Sequence, residues 1–139
     1  MSHSITRRSR AIAVTVAALV SVPVLAGTAN AVPADMYAPY ARAAAMVHEP
    51  GTLLAAKNIS EVTHPKVGTY CLKVSDPDID DLQNAAILAT ANNGGASVTV
   101  RTAGYGVTGC PRGTDIISVT SVYSDNHQPV DVTFTVAVL

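Results

Sequence analysis

The sequence has no Trp, one Phe and five Tyr, so it offers few aromatic platforms of the kind that line a glycan-cleaving groove. It has no excess of charge of either sign, with 9 Lys+Arg against 10 Asp+Glu. This excludes both a basic nucleic-acid binder and a polyacidic tail. Its only extended apolar run, Ala11 to Ala26, is broken by Pro23 and falls short of the about 20 residues a membrane-spanning helix needs. No G-x-S-x-G nucleophile elbow occurs, and the two cysteines and four histidines never fall at C-x-x-C or H-x-x-x-H spacing. The composition is that of one small non-enzymatic domain: 139 residues leave no room for two ordinary cores.

What is present begins with an address. Arg7, Arg8 and Arg10 precede the apolar run, and Ala29-Asn30-Ala31 supplies small side chains at the two positions a signal peptidase reads. Residues 1–31 are therefore expected to be a cleavable secretory signal, cut before Val32. The pair Arg7-Arg8 is not followed by a bulky apolar residue, so ordinary rather than twin-arginine export is expected. Removal of the signal leaves six basic against ten acidic side chains, a mildly acidic and soluble domain with no expected affinity for nucleic acid or anionic lipid.

Export places the cysteines in an oxidising compartment, where an even pair reads as one structural disulfide, Cys71 to Cys110. A blue-copper site fails because Cys110 is followed by Pro111, Arg112, Gly113 and Thr114, with no His or Met ligand. In the chain-entropy picture, closing this loop contributes about 4 kcal/mol.

Residues 32–43, with Pro33 and Pro39, read as a flexible lead-in, and 44–139 as the folded domain. Tyr40 to His48 is ambiguous: its alanines favour helix, whereas its length between turn signals suits an edge strand. Strand patterns follow. Lys57 to His64 is β-branched and stops at Pro65. Gly68 to Val74 sets Tyr70, Leu72 and Val74 on one face and Cys71 and Lys73 on the other. Ala85 to Ala91 and Ala96 to Thr102 flank Asn92-Asn93-Gly94-Gly95, which suits a tight hairpin. Thr114 to Tyr123 and Val130 to Leu139 complete the set, the last with Val132, Phe134, Val136 and Val138 on one face. These short strands predict an all-β fold, a single small β-sandwich or partly open barrel stapled by one disulfide. A true immunoglobulin domain is disfavoured, because no Trp packs on the bridge.

The order Pro50-Gly51-Thr52-Leu53, Ile59 to His64, Gly68-Thr69-Tyr70-Cys71, Cys110-Pro111-x-Gly113-Thr114-Asp115 and Val130-Asp131-Val132-x-Phe134 resembles small secreted actinobacterial proteins with a single β-rich domain. The resemblance covers about residues 44 to 139 and implies a β-sandwich whose strands meet at G-x-Y-C and near the carboxyl terminus; it implies no activity. Thr133 departs from it, since Gly or Ala usually precedes the final Phe.

Three features could carry function. Asp76, Asp78 and Asp80 stand at alternate positions, as at the start of a calcium loop, which makes calcium the candidate cation. Asp81 in place of Gly and Ile87 in place of Glu favour a solvated acidic turn instead, with no cofactor. Tyr105 is the one aromatic on a glycine-rich loop, and Arg112 lies beside the bridge on a tethered segment. His48, His64 and His127 sit in turn-like contexts where exposed histidines are usual. The expected role is surface contact with an extracellular protein or wall polymer, by a monomer or weak homodimer, outside the cell or at its wall. The alternative is an extracellular serine-protease inhibitor that uses the Cys110-Pro111-Arg112 loop.

Overall fold

The computed structural model describes residues 32–79, 81–103 and 109–139. The signal-sequence reading of residues 1–31, and the candidates Asp80 and Tyr105, lie outside the described residues. Nine strands are described: β1 (Ala34–Asp35), β2 (Ala43–His48), β3 (Thr52–Lys57), β4 (Ile59–Lys66), β5 (Thr69–Val74), β6 (Ile87–Ala91), β7 (Ala96–Thr102), β8 (Ile116–Tyr123) and β9 (Phe134–Val138), with one 3₁₀ turn at Leu82–Asn84. They form two sheets, ordered β1-β3-β2-β9-β6 and β4-β5-β8-β7. The fold is all-β, as the strand patterns predict.

The ambiguous alanine stretch is β2, at the centre of the first sheet between β3 and β9. Alanine is a weak strand former in isolation, but Ala43, Ala45 and Val47 fill the space opposite Val138, Val136 and Phe134, and this packing decides their conformation. The stretch read as a lead-in carries β1, which pairs in parallel with β3, and it buries Ala41. β3 itself was not among the expected strands: its face alternates poorly, and Asn58, at φ 52, ends it and turns the chain into β4 of the other sheet. β4 then runs through Pro65. It is an edge strand, and the ladder shifts register between Thr63 and Lys66, so the missing amide is accommodated.

The expected hairpin at Asn92-Asn93-Gly94-Gly95 does not form. β6 pairs with β9 in one sheet and β7 with β8 in the other, so this glycine-rich loop arches from sheet to sheet. Its amides find partners in other chain segments. The Asn92 N–H donates to the Thr133 carbonyl at 2.8 Å, and the Ser124 N–H donates to the Gly95 carbonyl at 2.9 Å. Positive φ at Gly95 serves the arch as well as it would a hairpin, which is why composition alone does not separate the two.

Between the sheets lie Tyr70, Leu72, Val74, Ile117, Val119, Val132, Phe134, Val136 and Val138, with Leu82 of the 3₁₀ turn closing one end. The faces assigned from alternation on β5 and β9 are thus the core faces. Tyr70 and Phe134, the two large aromatics inside, meet edge to face with ring centroids 4.9 Å apart. The chain enters β5 through Gly68 at φ +69, where an added Cβ would stand 2.5 Å from the Ser121 carbonyl oxygen. Truncating the central ring, Phe134→Ala, is expected to cost about 3–5 kcal/mol of stability, measured by urea unfolding. Gly68→Ala, which combines strain with this collision, is expected to cost about 2 kcal/mol or more in the same assay.

Candidate functional site

β5 alternates, so Tyr70 points into the core and Cys71 points out of the sandwich, beside Ser118 and Thr63 of the flanking strands. Cys71 is bonded there to Cys110, with a Cα–Cα distance of 5.5 Å, as the pairing argument predicts. Around the bridge, Cys71, Ala103 and Ile116 are buried and form a small second core on the outer face of the sheet. At Gly109, φ +109, an added Cβ would come within 3.4 Å of Pro65, 3.7 Å of Thr69 and 3.8 Å of Lys66.

The segment leaving the bridge is anchored again a few residues on. The Thr114 carbonyl accepts from the Leu82 N–H at 3.1 Å, and the Asp115 carbonyl from the Val74 N–H at 2.9 Å. Gly113 lies so close to the start of β8 that a Cβ there would be 2.7 Å from Asp115 Oδ1 and 3.0 Å from Ile116 Cγ1. Between these anchors Pro111 and Arg112 are exposed, and Arg112 has no ion-pair partner among the described residues. Lys73 and Lys57, by contrast, have partners. Lys73 Nζ is 3.9 Å from Asp115, and Lys57 Nζ donates to the Ala38 and Ala41 carbonyls at 2.9 and 2.7 Å.

The acidic loop has a different character. Asp76 Oδ1 accepts from the Asp78 N–H at 3.0 Å, which closes a turn around Pro77, and Asp81 Oδ1 accepts from the Gln83 N–H at 2.9 Å, which caps the 3₁₀ turn. The positive partner of Asp76 and Asp78 in this structure is Arg42, whose Nε and terminal nitrogen stand 3.4 and 3.7 Å from their carboxylates. The Asp78 N–H, opposed by partial burial and assisted by Arg42, holds the Asp76 carboxyl below its ordinary range. Among the described residues, no three His, Cys, Asp or Glu side chains converge on a common point suited to a metal ion. The loop forms one wall of an open cleft of about 330 Å³ that is otherwise lined by Arg42, Asn84 and Leu139.

A third cluster has no counterpart in the sequence reading. His64 is partly buried rather than exposed: its ring lies 4.8 Å from that of Tyr70, and Nε2 is 2.7 Å from Asp131 Oδ1. A carboxylate only accepts, so Nε2 carries the proton. The same oxygen accepts from the Gly68 N–H at 2.7 Å and from the Tyr70 hydroxyl at 3.2 Å, and the hydroxyl in turn accepts from the Val132 N–H at 3.1 Å. One carboxylate oxygen thus joins the end of β4, the turn into β5 and the segment leading to β9. Burial alone would raise the Asp131 pKa; the Gly68 amide, the His64 ring and the Tyr70 hydroxyl outweigh it and hold the carboxyl low. Burial pushes the Tyr70 hydroxyl up to about 12, so it stays protonated. A histidine oriented by a carboxylate is half of a nucleophile-activating set. Among the described residues no serine, threonine or cysteine is hydrogen-bonded to it, and its role here is to fasten three segments. His48, the last residue of β2, and His127, just past the turn after β8, are exposed, as expected.

Comparison of the chain with protein-family models, with curated proteins and with solved structures finds no match. Function is therefore argued from the residues themselves.

The Asp131 arrangement fixes a pH dependence. A carboxyl whose folded pKa lies below its unfolded value, about 4, contributes stability in full above that value and loses it as pH falls through the folded pKa. Asp131→Asn is expected to cost about 1–3 kcal/mol at pH 7, and to flatten the decline in urea midpoint between about pH 5 and pH 2 relative to the parent protein.

Proposed function

We propose that this chain is exported by its first 31 residues and acts outside the cell, free or at the wall, as a non-enzymatic β-sandwich module that works by surface contact. The contact residues are those of the bridged segment 109–115. The observation that carries this reading is the double anchoring of that segment. The disulfide holds one side, and the Thr114 and Asp115 carbonyls hold the other, with Arg112, which has no ion-pair partner among the described residues, exposed between them. A cation that stands on an anchored backbone and has no partner among the described residues is suited to a partner, because the entropy of ordering that backbone has been lost in folding rather than in binding.

The disulfide and the described fold agree with an extracellular setting, and among the described residues no helix is long and apolar enough to cross a membrane. The net acidity of the domain turns binding away from nucleic acid and anionic lipid, and an exposed arginine beside the bridge carries the sign opposite to that surplus charge. The resemblance to small secreted actinobacterial domains points to the same compartment. The partner is a protein or wall polymer that presents a carboxylate to Arg112.

The test uses the secreted, disulfide-intact protein immobilised through its carboxyl terminus and exposed to culture medium and solubilised wall from the producing cells. A stoichiometric partner is expected, with retention weakened about tenfold or more by Arg112→Ala and unchanged by Arg101→Ala on β7. Retention indifferent to Arg112 would overturn the assignment of this segment as the contact surface.

A further inference from the structure

Building on the contact reading above, we infer that the partner of the bridged segment is a serine protease specific for arginine, with Arg112 filling its acidic primary pocket and Arg112–Gly113 presented as the peptide bond under attack. Such a protease binds an exposed, extended segment with a basic side chain immediately before the scissile bond. Pro111 and Arg112 meet the requirement for exposure: Pro111 fixes φ just before Arg112, both residues are exposed, and Arg112 has no ion-pair partner among the described residues.

What separates an inhibitor from a substrate is the fate of the two ends. Attack on the Arg112 carbonyl, followed by water, adds the elements of water across the Arg112–Gly113 amide. Arg112 acquires a carboxylate and Gly113 an ammonium group. In a flexible loop the ends diffuse apart and the enzyme is released. Here Arg112 stays two residues from the disulfide to Cys71, and Gly113 stays at the start of β8, where even an added Cβ would collide with Asp115 and Ile116. The Thr114 and Asp115 carbonyls remain hydrogen-bonded to Leu82 and Val74. The amine therefore remains in position to reverse the step and reform the amide with loss of water, and the protease stays occupied. The other basic residues are placed differently: Arg42 is paired with Asp76, Lys57 is bonded to two carbonyls, Arg101 lies within β7, and Lys66, though exposed, ends β4 in its ladder with Thr69.

The experiment titrates the disulfide-intact full chain against pancreatic trypsin and, separately, chymotrypsin, following residual activity on small chromogenic substrates and the integrity of the chain over hours. Saturable one-to-one inhibition of trypsin is expected, with chymotrypsin unaffected at the same concentrations. Arg112→Ala, with its melting temperature checked against the parent, is expected to weaken inhibition by about a hundredfold or more, and Arg112→Lys to retain most of it. Gly113→Ala, which pushes the segment off Asp115 and Ile116, is expected to convert inhibitor to substrate, cleaved after Arg112. Undiminished trypsin activity with rapid cleavage of the parent chain after Arg112, or inhibition that Arg112→Ala leaves intact, overturns the inference. If trypsin is not inhibited while Arg112-dependent capture of a partner persists, the protease assignment falls and the contact reading stands. If capture is also independent of Arg112, both fall.

Discussion

Two neighbouring residues on one central strand organise this molecule. The alternation of β5 sends Tyr70 inward and Cys71 outward, so a single short stretch of backbone is fixed from both sides. Inside, the buried Tyr70 ring rests on Phe134, and its hydroxyl bridges Asp131 and the Val132 amide, which ties one sheet to the segment that enters the other. Outside, the Cys71 sulfur fixes Cys110 and with it the segment carrying Arg112. One peptide unit therefore separates the core contact of Tyr70 from the bridge that anchors the segment carrying Arg112.

This arrangement suits a chain that has little else to fold with. Its core is built mainly of valine and alanine around two large aromatics, and a domain of this size buries a smaller fraction of its surface than a larger one. A cross-link worth about 4 kcal/mol is comparable with the whole net stability of a typical small domain, about 5–15 kcal/mol. The Asp131 hub adds order in a different way. A buried tyrosine hydroxyl without a partner would be costly, and a partly buried carboxylate more so; by satisfying each other and the Gly68 amide they tie the paired strands β4 and β5 to the segment that leads into β9 of the other sheet.

The strands with strict alternation were legible in the sequence. Tyr70, Leu72 and Val74, and Val132 to Val138, carry a period of two that only one burial pattern satisfies, and the disulfide followed from an even pair of cysteines in a chain read as carrying an export signal. The Ala43–His48 stretch was not legible, since alanine has no preference strong enough to resist its neighbours. Nor was the arch at Asn92 to Gly95, because glycine-rich loops serve hairpins and sheet crossings equally and only the pairing of β6 with β9 distinguishes them. The His64–Asp131 bond joins residues 67 apart, and alternation alone set Asp131 on an outer face. The anchoring of Arg112 was half visible: Cys110 marked one end, whereas the carbonyl bonds from Thr114 and Asp115 to Leu82 and Val74 depend on a 3₁₀ turn that no periodic pattern announces.

Shape and chemistry converge on the same few residues. A rigid scaffold with a free cation on a doubly tethered segment has its recognition element formed before any partner arrives, and both the contact reading and the protease inference depend on that preorganisation. The most direct test is backbone ¹⁵N relaxation of the oxidised protein. The account predicts that the amides of Gly109, Cys110 and Arg112 to Asp115 show order parameters near those of β5 and β8, about 0.85. Values below about 0.6 across this stretch would mean a mobile loop, and would contradict the claim that the fold holds Arg112 ready for its partner.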